Sequence, residues 1–71
     1  MAPLSSEDKE LLKEALEAQL RKEELERALG RVLRQRGLGF DRYIAIVSSL
    51  REAKEQDEDL ASTARRLTTE G

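Results

Sequence analysis

Residues 5–40 read SSEDKELLKEALEAQLRKEELERALGRVLRQRGLGF, and they decide how the rest of the chain must fold. Ser5 and Ser6 are both suited to cap a helix, because a serine oxygen accepts from an otherwise unpaired N–H of the first turn. Glu7, Asp8 and Glu10 then set negative charge at the positive end of the helix dipole. From there Leu11, Ala15, Ala18, Lys22, Leu25, Leu29, Val32 and Arg36 recur at alternating steps of four and three, the seam that faces a partner helix. Gly37 fits the left-handed position just past a helix end, with Leu38 reaching back to Leu33. The stretch predicts one helix over 6–36 and a turn over 37–40.

Leu12, Leu16 and Leu20 form a second apolar stripe, rotated by about 100° from the seam at 3.6 residues per turn. A helix in a simple hairpin has one neighbour, so the second stripe needs another surface. That argues for a homodimer whose interface is built on Leu12, Leu16 and Leu20. Gly30, which costs about 1 kcal/mol relative to Ala inside a helix, marks either a close contact or a bend.

Beyond the turn, Asp41 is the next capping candidate. Tyr43, Ile46, Val47, Leu50, Ala53, Leu60, Ala61, Ala64 and Leu67 then share one broad face. The pairs Arg51–Glu55 and Lys54–Glu58 favour a continuous helix over 41–67, with a break near Asp57 as the alternative. The expectation is all-α: an antiparallel helical hairpin over 6–67, dimerising into a four-helix bundle. A disordered leader over 1–5 and a frayed tail over 68–71 complete it. This architecture resembles that of small helical hairpins that pair into four-helix bundles. The resemblance is one of shape, rests on no motif and transfers no function.

With 71 residues the chain has room for one domain and a small core. Cys and His are both 0, which removes disulfides, thiolate chemistry, zinc sites built on those ligands, and the Ser-His-Asp and Cys-His arrangements of nucleophilic catalysis. The acids around Asp57 lack the spacing and the glycine of an EF-hand loop. Gly37-Leu38-Gly39 is too short to cradle a phosphate, and no strand precedes it. No enzyme chemistry and no cofactor are expected. No apolar run approaches membrane-spanning length and no export signal follows Met1, so the expected location is cytoplasmic. The absence of Asn, and nine Arg against four Lys, suit a thermophilic or GC-rich source.

The overall charge of −2 hides an asymmetry. Residues 27–51 carry six basic side chains and one acid, whereas both flanking segments are acidic. Folded as a hairpin, the chain becomes an electrical dipole about 45 Å long at 1.5 Å per residue. Arg27, Arg31, Arg34, Arg36 and Arg42 are the candidate anion- or partner-binding residues. They admit three readings: cations complementing a helix end, a face meeting the acidic end of a second protomer, or a site for an outside anion. Phe40 and Tyr43 nearby could stack on bases, but both fit the core at the closed end. A sequence pI near 5.2 weighs against general nucleic-acid affinity. The function expected is therefore a protein–protein interaction or regulatory module that self-associates and engages another protein. A nucleic-acid-binding regulator using the basic arginines is the alternative.

Overall fold

A computed structural model of the chain describes residues 4–69. Among them are four α-helices and no strand: α1 Ser6–Ala18, α2 Leu25–Gln35, α3 Phe40–Ala53 and α4 Leu60–Thr69. The all-helical expectation holds, but four helices stand where two long ones were expected, and of the two readings of 41–67 the one with a break near Asp57 is the one observed. The rod over 6–36 is broken at 19–24, and the rod over 41–67 at 54–59. The greatest extent is 31 Å rather than 45 Å.

Both breaks are made by the same device. After α1, Gln19 turns extended (φ −63°, ψ 124°), and after α3, Lys54 does the same (φ −64°, ψ 130°). In the first break the Leu20 N–H donates to Glu23 Oε1 at 2.9 Å, and the Glu23 N–H returns to the Leu20 carbonyl at 3.0 Å. Arg31 donates to both carboxylate oxygens of Glu23, at 2.6 and 3.1 Å, and to the Ala18 carbonyl at 2.7 Å. In the second break the Glu55 N–H donates to Glu58 Oε1 at 2.9 Å. Arg66 donates to Glu58 at 2.9 and 3.0 Å and to the Ala53 carbonyl at 2.7 Å. A helix end leaves carbonyls without partners. Here a guanidinium from the following helix satisfies one of them, while its fork holds the carboxylate that organises the loop.

The corresponding residues, Ala18 and Ala53, Glu23 and Glu58, Leu25 and Leu60, Arg31 and Arg66, are each 35 positions apart. The chain is thus two copies of one helix–loop–helix unit.

Continuity was expected from i,i+4 ion pairs, which contribute only about 0.2–0.5 kcal/mol each. Folding each rod back covers whole apolar side chains, at about 1.5–3 kcal/mol for a leucine. Burial wins. α1 packs chiefly against α2 and α4, and α3 packs against α2 and α4. With two neighbours, α1 buries Leu11 and Ala15 of the seam and Leu12 of the second stripe. From the other helices come Leu25, Leu29 and Val32 of α2, Ile46 and Leu50 of α3, and Ala64 of α4.

The end signals fare better than the middles. The Ser5 side chain accepts from the Asp8 N–H at 3.1 Å, closing the start of α1. After α2, the Leu38 N–H donates to the Leu33 carbonyl at 2.9 Å and the Gly37 N–H to that of Arg34 at 3.1 Å, with Gly37 at φ 72°. This is the predicted stop. α3 begins one residue earlier than expected, at Phe40, with Gly39 rather than Asp41 as its cap. Leu4 packs against the core, and Thr68, predicted to fray, is buried in α4 with its hydroxyl donating to the Ala64 carbonyl. The remainder of the predicted leader and tail, 1–3 and 70–71, lies outside the described residues.

Candidate partner-binding face

The Gly37 turn sets α3 beside α2, so the first turn of α3 lies against the middle of α2. Tyr43 packs over α2 at Gly30: a Cβ there would sit 3.9 Å from Cε2 of Tyr43, an ordinary contact, so the ring covers the glycine without requiring it. α2 runs unbroken through Gly30, which marks a contact rather than a bend. Phe40, one turn earlier on α3, stacks on Tyr43 with ring centroids 5.5 Å apart and planes 16° from parallel. Tyr43 is half-buried. Phe40 is 69% exposed and Ile44, next along α3, 48%. The expectation that both rings fill a closed core is corrected for Phe40, because the core is filled from α1 and α4 instead.

Arg27 and Arg34 rim the same open groove, which is floored by Gly30 and the two rings; Glu26 is the acid on its lining. Both arginines are exposed. Among the described residues neither has a side-chain hydrogen bond or ion pair. They are seven residues apart on α2, two helical turns, or about 10 Å at 1.5 Å per residue.

The other three arginines singled out from the sequence serve the fold. Arg31, with no acid three or four residues from it, is held by Glu23, eight residues away and across the break. Arg36 pairs with Glu14 of α1, its Nε donating at 3.0 Å. Arg42 pairs with Glu7 and, at 3.3 Å, with Asp8. The last two contacts bring the basic middle of the chain onto the acidic start of α1, so the long dipole collapses on itself. The Arg31 guanidinium and the Leu20 N–H hold the Glu23 carboxyl below its usual range. Glu58, held by Arg66 and by the Glu55 N–H, is lowered to about 2.

The leucine stripe is dispersed. Leu12 is fully buried inside the single chain and is not available to a second protomer. Leu16 is half-buried in a depression between α1 and α4, rimmed by Glu10, Glu14, Glu17, Arg36 and Arg65. Leu20 is 64% exposed, in the first loop. The three do not form one surface.

What the linear reading missed is the repeat. At the 35-residue spacing, Ser5, Asp8 and Lys9 correspond to Phe40, Tyr43 and Ile44. Aligning the two halves would have shown an apolar cluster where the first copy is polar. No group of three or more acidic side chains able to hold a metal occurs among the described residues. No described helix is long and apolar enough to cross a membrane. No protein-family model, curated protein or solved structure matches the chain.

Proposed function

We propose that this chain is a non-enzymatic interaction module that engages a partner protein through the Phe40–Tyr43–Ile44 face between α2 and α3. One observation carries the reading. Phe40 and Ile44 stand exposed beside the half-buried Tyr43, on which Phe40 stacks, at positions that the first copy of the unit fills with Ser5, Lys9 and Asp8. Scattered apolar side chains on a surface need no explanation. A contiguous cluster of them, flanked by two arginines that make no ion pair among the described residues, has the composition of an interface centre, where aromatic residues and arginine are enriched. Covering Phe40 alone is worth about 1.5–3 kcal/mol to an association.

Self-association, expected on the leucine stripe, loses that support once Leu12 lies inside the core. A homodimer would have to use another surface. The test is selection from a displayed peptide library against the wild-type chain, with counter-selection against the Phe40→Ser/Ile44→Ser variant. Ligands that lose binding to the variant support the reading. A library yielding no ligand sensitive to the double substitution sinks it.

Nucleic-acid binding is the second reading, favoured by the exposed Phe40 ring beside Arg27 and Arg34, since bases stack on aromatic faces and arginine planes. It requires affinity for a single-stranded oligonucleotide that falls steeply with salt.

A further inference from the structure

The occupant of this face can be described more closely, on the reading just given that the face binds protein. We infer that it receives an amphipathic helix of a partner protein that carries acidic side chains seven residues apart beside an apolar stripe.

Charge supplies the first part of the argument. Arg31, Arg36, Arg42 and Arg66 all meet carboxylates within the chain, so the chain does not lack acids. Among the described residues Arg27 and Arg34, like Arg21, Arg51 and Arg65, make no ion pair, Arg27 acting on Glu23 only at a distance; these two share one groove, whose lining holds the single acid Glu26. With two guanidinium groups against one carboxylate, the rim is positive by one charge, on a chain whose total is −2. A partner meeting this rim gains from acidic groups, and Arg27 and Arg34 each offer a fork for one of them.

Spacing supplies the second part. The two arginines stand two turns apart on a straight helix, about 10 Å. A second helix laid along α2 repeats with the same pitch, so acids at i and i+7 meet both arginines at once. An apolar stripe at i+3 and i+4 on that helix falls between them, over Phe40 and Tyr43. An α-helix laid in a groove between two others reuses ordinary helix packing. The groove is open along its length, which suits a segment lying across it rather than an enclosed small molecule.

Tyr43 gives the experiment a built-in reporter, because it is the single Tyr in a chain without Trp. The probes are synthetic helical peptides lacking Tyr and Trp, with one apolar stripe and three arrangements of charge. One places Glu at i and i+7, one places the same two Glu on the opposite face, and one places Lys at i and i+7. Binding is followed by Tyr43 emission, with sedimentation as a check. The expected result is micromolar affinity for the first peptide, at least tenfold weaker binding of the other two, and loss in Phe40→Ala. In Arg27→Glu/Arg34→Glu, the preference is expected to reverse toward the Lys peptide. Equal affinity for all three peptides would overturn the acidic partner while leaving a protein-binding face. Failure of every peptide overturns the inference, and the library selection above then decides whether the face binds protein at all. Concentration-dependent Tyr43 emission without peptide would assign the face to a second copy. Displacement of the peptide by an oligonucleotide that binds more tightly would assign it to nucleic acid.

Discussion

The two helix–loop–helix copies share a skeleton and differ on their surfaces. In each, a glutamate at the loop binds the N–H three residues before it and an arginine eight residues after it, and that arginine reaches back to the last alanine of the first helix. The second copy is the better finished. Asp59 accepts from the Ser62 N–H at 2.8 Å to cap α4, and Glu58 also accepts from the Thr63 hydroxyl at 3.1 Å. In the first copy the corresponding cap is Glu24, which makes no side-chain capping bond. Its loop also holds Lys22 in the left-handed region at φ 66°. The surfaces differ the other way. The first copy ends its outer turn in Ser5, Asp8 and Lys9, and Asp8 contributes to the pairing of Arg42. The second has Phe40, Tyr43 and Ile44 there. What is repeated builds the fold; what is not repeated includes the face proposed above to receive a partner.

The largest effect should come from the shared core. Leu12 and Val47 occupy corresponding positions, both buried. Leu12→Ala is expected to cost about 3 kcal/mol, and Val47→Ala, with fewer methyl groups removed, about 2 kcal/mol. Urea unfolding followed by circular dichroism measures both. If Leu12 acted between protomers, its cost would instead depend on protein concentration; equal losses across a wide concentration range place it inside one chain.

Next come the two loop glutamates, which compare the copies directly. Glu58→Gln is expected to lower the melting temperature more than Glu23→Gln, because Glu58 receives Thr63 in addition to its arginine and backbone N–H. Acid should show the same ranking. The Glu58 carboxyl lies at about 2 in the folded chain against an ordinary 4.5, so the unfolded chain binds its proton first as pH falls. Its contribution to stability is therefore complete above about pH 4.5 and is lost progressively between 4.5 and 2. Glu58→Gln should flatten that part of the stability–pH curve more than Glu23→Gln. A curve unchanged in both variants would mean that the arginine clamps do not hold the loops.

How much of this could be read in the chain beforehand depended on the range of the interaction. Ser5 and Gly37 act within a turn of themselves, and both helix ends fell where those residues placed them. The seam residues Leu11, Ala15, Leu25, Leu29 and Val32 are buried as the heptad pattern requires. The pattern nevertheless ran straight through Lys22, because a seven-residue repeat is indifferent to whether its helix is continuous. The break depends on Arg31 reaching Ala18, 13 residues away, a distance no helical periodicity samples. The repeat of Glu23, Leu25 and Arg31 as Glu58, Leu60 and Arg66 carried that information for the first break, and a comparison of the chain with itself exposes it; the second break was already open as the alternative near Asp57. Phe40 was misplaced for the same reason. A core at the closed end of a two-helix hairpin needs its ring, whereas a four-helix core supplied by α1 and α4 does not.

The smallest effect concerns the least finished part of the molecule. Lys22 at φ 66° adopts a conformation that costs a non-glycine residue about 1–2 kcal/mol. Its counterpart Asp57 is not in that region, so the first loop carries a local strain the second avoids. Lys22→Gly removes the clash of the side chain with its own backbone, but it also frees the unfolded chain, which takes back part of the gain. The net expectation is a stabilisation of about 0.5–1 kcal/mol, read as a higher urea midpoint. Asp57→Gly should do the opposite, since it loosens the unfolded chain with no strain to relieve. If the two substitutions shift stability in the same direction, the loops are held by their arginine clamps alone and the left-handed Lys22 costs the first copy nothing.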